Sequence, residues 1–497
     1  MIDRYAVPPT PHGVWEPAPA ALFVRRPAYP WLVVAVCCIG AFIGQLDASI
    51  VQLALPALER EFDTRLGAVS WVAIGYQLAF TAILPIYARL AEIGGRKLIY
   101  LLAFALFGVF SLLCGMANAL WQLILFRILL GVAGAGLGAN SVVVLVKAVG
   151  PERQGHAMGI FAAAQAVGIS LGPLAGGVLL GTLGWRWVFW VTVPFAAVAA
   201  VGAWLLVPRT TDINPDRRFD LPGALLLIPA LAALLLLISE SYAWGLTSPP
   251  LLACWLAVMV LLPAFVWRQN HTTAPLIDLA LFQNPAFSGG VVAIVMSYAL
   301  LYGMFFLMSF ALMRGYHDQP LTAGARLAIV PVALGIVAPF TGLLQKRLGR
   351  RVLLLGGMAL CCASNVMLLM LMDGAPATLP AVMVMLALFG AGLGLFIAPN
   401  NSETMSAAPP DHRGQAGGML NLMRVLGTSV GVASASALLT WRLAGRTGVI
   451  GHTTNVPEQQ LLASIADGLW LLIGFAVIAA LMAILRGEPL EPPAKPT

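Results

Sequence analysis

Charge is what this sequence has least of. Only 10% of its 497 residues are Asp, Glu, Lys or Arg, whereas 60% are hydrophobic. A soluble domain carries about 25% charged residues, so the composition excludes one and points to an integral membrane protein. Histidine is sparse as well: six residues scattered through loops form no zinc-ligand or catalytic cluster. No metal or cofactor is expected, and no clustered Asp, His or Ser marks an enzyme. The six cysteines (Cys37, Cys38, Cys114, Cys254, Cys361 and Cys362) fall in apolar segments with no disulfide framework, and buried packing is their expected role. The ATP-binding pattern G-x-x-x-x-G-K-[ST] is absent, so an ion gradient is the expected energy source for any coupled work. Residues 1–28 are rich in Pro and Ala without an apolar core before a cleavage site, and do not read as a signal peptide.

What is present is a series of apolar runs. Fourteen are long enough to cross about 30 Å of hydrocarbon: 30–57, 68–89, 98–117, 119–146, 156–182, 186–207, 222–240, 250–267, 287–310, 322–345, 352–372, 377–399, 415–440 and 466–486. The fold class is therefore an all-α membrane bundle. Of the 28 Lys and Arg, nineteen fall in one set of alternate loops and tails, seven fall in the other set, and Arg127 and Arg424 lie within spans. The positive-inside rule places the richer set, and both termini, in the cytoplasm. This distribution explains the net charge of +7 without nucleic acid as a partner.

Gly168, Gly172 and Gly176 recur every four residues in the fifth run, beside Pro173 and Gly177. They make a helix face almost without side chains, against which another backbone can lie, and Pro173 favours a bend. The chain also repeats itself. Ala88–Lys97 after the second run is echoed 254 residues later by Gly342–Arg351 after the tenth. Pro151–Gly159 is echoed by Pro410–Gly418, and Leu171, Gly172 and Gly176 by Leu426, Gly427 and Gly431. The expected organisation is a tail (1–29), a six-helix half (30–207), a linker with two inserted helices (208–267), a second six-helix half (268–486) and a tail (487–497). Paired six-helix repeats with a site at their midplane interface are a transporter architecture.

With these segments in place, the chain resembles the major facilitator superfamily over nearly its whole length, and in particular the fourteen-helix branch of drug:proton antiporters. Gly168–Gly177 fits the antiporter signature G-x-x-x-G-P-x-x-G-G at every defined position. The loop 88–97 fits the superfamily's loop motif, with Ala88 for Gly and Glu92 for Asp. Leu123–Gly131 fits the fourth-helix pattern around Arg127, with Leu130 where Gln is frequent. Leu46–Pro56 fits the first-helix block L-D-x-T-[IV]-V-N-V-A-L-P, with Ser49 for Thr and Gln52 for Asn.

Asp47 is the one carboxylate deep in a span of the first half, and a charge at that depth needs a cavity or a partner. Helix rise puts it roughly 13 Å below the outer end, and Arg127 roughly 12 Å, so a charge pair or a water-bridged network is open to them. The resemblance implies proton coupling by Asp47, with Arg127 beside it. It implies a sealing hinge at Gly168, Gly172, Pro173, Gly176 and Gly177, and a cytoplasmic gate joining the halves at Glu92, Gly95, Arg96, Lys97, Gly349 and Arg350. Candidates for the substrate cavity, read from midplane depth, are Gln45, Gln52, Tyr76, Gln77, Asn140, Gln165, Tyr298, Tyr302, Asn400 and Arg424. Arg424 either bonds carbonyls or binds an anionic group. Phe305, Phe306 and Met308 either extend the cavity or face lipid, and Trp185, Trp187 and Trp190 read as interfacial anchors. The function so implied is proton-coupled export of drug-like or amphipathic small molecules across the bacterial cytoplasmic (inner) membrane, with substrate, protons and lipid as partners and a periplasmic adaptor with an outer-membrane channel as candidate partners. The alternatives are a dedicated exporter of one metabolite, antibiotic or siderophore, and a non-transporting receptor.

Overall fold

A computed structural model of the protein describes residues 16–211, 220–245, 247–272, 275–277, 279–409, 413–448, 453 and 456–486. Among them are fourteen helices long and apolar enough to cross a membrane, and no strand. They are α1 (Tyr29–Glu61), α2 (Leu66–Gly94), α3 (Arg96–Met116), α4 (Leu120–Val149), α5 (Gln154–Thr182), α6 (Arg186–Leu206), α7 (Leu221–Ser241), α8 (Pro249–His271), α9 (Pro285–Gly315), α10 (Pro320–Leu348), α11 (Arg350–Leu371), α12 (Leu379–Ser406), α13 (Ala416–Thr447) and α14 (Glu458–Leu485). Several outrun the apolar segments that predict them. α1 continues past Pro56 to Glu61, α12 past Pro399 to Ser406, and α14 begins at Glu458. Hydropathy ends where the hydrocarbon ends, whereas a helix keeps satisfying its backbone until a cap or turn stops it. Of the residues used for orientation, Arg4, Arg217, Arg218 and Lys495 lie outside the described residues, as do Pro410–His412 of the second echo.

The packing repeats along the chain. α1 packs on α5, α2 and α3 on α4, and α3 on α6. The same pairs recur eight helices later as α9 on α13, α10 and α11 on α12, and α11 on α14. Glycines make the closest approaches in both sets. A Cβ at Gly168 would lie 2.6 Å from the Phe42 carbonyl oxygen, and one at Gly172 would strike Ser49, both on α1. In the second half, Gly427 and Gly431 meet the Val295 and Ala299 carbonyls of α9 in the same way. Gly131 of α4 abuts the Tyr76 carbonyl of α2, and Gly390 of α12 abuts the Val330 carbonyl of α10.

The halves meet through a reciprocal pair of contacts, α2 with α13 and α5 with α10, with α1 touching α9 between them. The inserted α7 packs on both α2 and α13, and α8 packs on α7. The seam is uneven along its length. At the end holding the α1–α2 and α9–α10 turns, the far end, a Cβ on Gly177 would meet the Pro320 carbonyl oxygen at 2.5 Å and the Gly324 Cα at 3.1 Å. Gly324 in turn faces Pro173 and Gly177. At the opposite end, which carries the basic loops, Gly155 and Gly159 of α5 and Gly335 and Gly342 of α10 have open space where a side chain would go. The bundle is closed at the far end and splayed at the basic end.

Gly324→Val therefore adds bulk where two backbones touch, a clash of about 1–3 kcal/mol. It should pry the far end apart. A cysteine introduced at the buried Ala323 should react faster with a membrane-impermeant maleimide in the Gly324→Val background than without it, and an unchanged rate would show that the glycine contact does not hold that end shut.

Candidate functional site

At mid-membrane the bundle holds one complete ion pair. Asp47 is fully buried and Arg127 is 1% exposed, and a single guanidinium nitrogen, Nη1, donates to both carboxylate oxygens at 2.8 and 2.7 Å. The Nε of Arg127 donates to the Val72 carbonyl at 2.9 Å, and its guanidinium lies over the Tyr76 ring, 4.4 Å from the centroid. Three helices fix the pair: α1 supplies the carboxylate, α4 the guanidinium, and α2 the carbonyl and the ring. Gly131, one turn after Arg127, is what lets α4 approach α2 closely enough for this. The equal depths read from the sequence end in a direct contact.

The glycine face of α5 lies against the same stretch of α1. The Ser49 hydroxyl donates to the Gln45 carbonyl at 2.9 Å and sits 3.4 Å from the Gly168 carbonyl. Gly168, Gly172 and Gly176 thus pack against Gln45, Ser49 and Ile50, while Pro173 and Gly177 face α10 across the seam. One short element touches both the helix of the buried carboxylate and the closed end.

Arg424 of α13 is partly buried. Its Nη1 donates to Gln165 Oε1 of α5 at 3.3 Å, a bond between the halves, and its Nη2 donates to Asn421 Oδ1. Tyr76 and Tyr302 lie within electrostatic reach of both Arg424 and Asp47. Arg424, Gln165 and Asn421 form one group that bridges the halves. Tyr302 packs edge-on to Phe305 at 5.6 Å, and Phe305, Phe306 and Met308 are wholly buried, which removes the lipid-facing option for them. The other cavity candidates are more dispersed. Gln45 and Tyr298 pack under Gly168 and Gly427 at the α1–α5 and α9–α13 contacts. Asn140 turns back to its own helix at Gly136, and Asn400 donates to Gly290 within the second half, so neither meets the group around Arg424. Gln52 and Gln77 are buried in the first half, and Gln52 Oε1 has no hydrogen-bond partner.

The ion pairs described for the gate residues stay within one half. Glu92 pairs with Arg89 at 2.8 Å and with Arg96 at 3.9 Å, all in one loop. Lys97 Nζ donates to the Val207 carbonyl at 2.6 Å, at the end of α6. Arg350 faces Glu403 at 3.5 Å, and Arg486 faces the same carboxylate at 3.5 Å, both inside the second half. With the basic ends apart, each loop satisfies its charges locally. Gly95 and Gly349 take φ of +92° and +79°, the left-handed region that glycine favours, at the starts of α3 and α11. Trp185 departs from the anchor reading too: it is buried between Phe62 and Phe189, whereas Trp187 is exposed.

Three carboxylates matter that sequence reasoning passed over. Glu59, at the far end of α1, is fully buried. It accepts from the Thr453 backbone N–H at 2.7 Å and from the Thr453 hydroxyl, and stands 3.9 Å from Arg314. It clasps the first half to the second where the bundle is closed. Glu16 is buried against the α2–α3 loop, bonding Thr210 through both oxygens and occupying the space where Gly95 lacks a side chain. Glu240 of α7 accepts from Trp71 Nε1 at 2.8 Å. The partners lie tens to hundreds of residues away, and no local pattern announces them. Asp467, without a role in the sequence, pairs with Arg446 at 2.7 Å and ties α14 to α13.

Comparison with known proteins gives the family. The family model of the Major Facilitator Superfamily matches residues 37–432 and 290–497. The chain belongs to the Major Facilitator Superfamily. It is a multi-pass membrane protein and a secondary transporter of small molecules, not an enzyme. Among its relatives in the superfamily, the multidrug resistance protein Stp of Mycobacterium tuberculosis (strain ATCC 25618 / H37Rv) is 33% identical over 81% of this chain and 75% of its own. The riboflavin transporter RibZ of Clostridioides difficile (strain 630) is 30% identical over 85% and 91%. The tetracenomycin C resistance and export protein of Streptomyces glaucescens is 27% identical over 83% and 77%. Among solved structures, a bacterial homologue of the lysosomal transporter Spinster superposes with a TM-score of 0.66 at 15% identity, covering 93% of this chain and 97% of that one, a likeness of fold.

Two outcomes test the site. Arg127→Met leaves a buried carboxylate unpaired and should cost about 3–5 kcal/mol, while Asp47→Leu/Arg127→Met should cost less than the single change. Thermal unfolding of purified protein in detergent reads both. Glu59→Gln weakens the clasp, so labelling of Ala323→Cys, a buried position, from the far side should speed up; a rate equal to that of the parent would remove Glu59 from the closure.

Proposed function

We propose that the protein is a proton-coupled exporter of drug-like or amphipathic compounds, working by alternating access, with the basic end in the cytoplasm. The buried Asp47–Arg127 pair carries this reading, because an ionisable group held at mid-membrane marks an ion path. The multidrug resistance protein and the tetracenomycin C resistance and export protein among the relatives support export, and the excess of Lys and Arg at the splayed end supports its cytoplasmic placement. On this orientation the structure is open inward and closed outward.

Paired with Arg127, Asp47 accepts only. A proton arriving on Asp47 takes the place of Arg127 and frees the guanidinium, which then needs new acceptors. That change of partners falls on the segment of α1 that the α5 glycines grip, and α5 also forms the outer closure. Loading the carboxylate and reopening the outer seam thus act on one element, which is how a proton and a substrate come to move in turn. A dedicated exporter of one compound is the second reading; the 30% identity to a riboflavin transporter favours the single compound, though not the direction of transport. A panel of compounds separates the two, since broad transport supports the first reading and a single hit the second.

The deciding measurement follows proton movement in inverted membrane vesicles on addition of candidate compounds. Wild-type protein should release protons in a compound-dependent way and Asp47→Asn should not. Equal release in both would keep the antiporter and remove Asp47 as the coupling residue. Transport without proton movement in the wild type would overturn proton coupling.

A further inference from the structure

Arg424 stands in the membrane interior without a carboxylate. Helix rise puts it about 12 Å along α13 from Ala416, on the open side of the Asp47–Arg127 pair. Asp47 is held by Arg127, Asp467 lies nine residues into α14 and pairs with Arg446, and the other carboxylates of the described spans sit near the helix ends with partners of their own. Among the described residues no acidic group lies within ion-pairing distance of Arg424, and its two side-chain partners, Gln165 and Asn421, are neutral amides. A guanidinium presents five N–H donors in a planar fork that matches a carboxylate. Here amide oxygens occupy two of its nitrogens. A charge kept in the membrane interior with no counter-charge marks a path for something that supplies one.

We propose that Arg424 is the anion-binding point of the transport cavity, and that the preferred cargo is an amphipathic anion. Its carboxylate or sulfonate docks on Arg424 and its aromatic body lies beside Tyr76 and Tyr302. This rests on the export reading above. Gln165 then has a specific part. At 3.3 Å its carbonyl is a long acceptor, and it sits on α5 while Arg424 sits on α13. An ionised acceptor outcompetes an amide for a guanidinium, so the cargo displaces Gln165 and releases a bond between the halves as it binds. Binding and the freedom of the halves to move are coupled at one atom pair. An anion leaving a cell whose interior is negative is also driven by the membrane potential, beyond the contribution of the proton.

The test uses the full-length protein in liposomes of zwitterionic lipid under an imposed pH gradient, so that no anionic headgroup competes. Three matched series are assayed: fused-ring aromatic carboxylates such as 2-naphthoate, their neutral primary amides, and their cationic aminomethyl analogues. Wild-type protein should favour the carboxylates. In Arg424→Gln the ratio of carboxylate to amide transport should fall about tenfold or more, and Arg424→Lys should restore part of it. Collapse of the membrane potential at fixed pH gradient should slow the carboxylates more than the amides. Equal loss of both series in Arg424→Gln, with a lowered melting point, would assign Arg424 a structural role and overturn the proposal. Wild-type preference for amides or amines would overturn the anion assignment while leaving export intact. No movement of any series would count against export itself.

Discussion

Helices in lipid gain nothing from hiding apolar side chains, since the lipid is as apolar as they are, and their association depends on how closely their backbones can approach. Several of the largest contacts of this bundle are made in this way. Gly168 and Gly172 bring α5 onto α1, Gly427 and Gly431 bring α13 onto α9, and Gly131 and Gly390 bring α4 and α12 onto α2 and α10. These contacts set where the polar side chains fall. Arg127 reaches both Asp47 and the Val72 carbonyl because Gly131 lets α4 lie against Tyr76. The seam between the halves uses the same device at Gly177 and Gly324, where a side chain on either strand of the contact would meet main chain.

Charge is distributed with equal economy. Asp47 and Arg127 cancel at the centre, Glu59 clasps the closed end, and the basic-end carboxylates Glu92 and Glu403 are satisfied inside their own halves. The result is a barrier made at one end by contacts between halves, and at the other an open, basic end whose described ion pairs each stay within one half. A molecule with such an arrangement can rock without breaking charge pairs at the open end, because none of those described there crosses the seam.

The sequence made the fold legible because hydropathy, glycine spacing and internal echoes are all local signals. The fourteen spans, the repeat and the matching depths of Asp47 and Arg127 all come from counting along the chain. Side-chain partnerships are not local. Glu59 and Thr453 are 394 residues apart, and Glu16 meets Thr210 from a proline-rich segment with no periodicity to read. The gate motif illustrates a different limit: a motif names residues, while the state of the bundle decides whom they touch, and in this one Glu92 and Arg350 keep to their own halves. Asn140 and Asn400 sit at plausible depths, yet the sequence could not tell a side chain turned to its own helix or half from one turned to the seam.

The two sides of the seam differ in their cover. α7 lies across the junction of α2 and α13, whereas α5 and α10 touch at the closed end and part toward the basic end. The inserted helices therefore do more than lengthen the chain: they shutter one flank of the vestibule against the bilayer and leave the other flank ajar. On the uncovered flank the parting of α5 and α10 toward the basic end faces the bilayer directly, so the two flanks of the seam meet different surroundings.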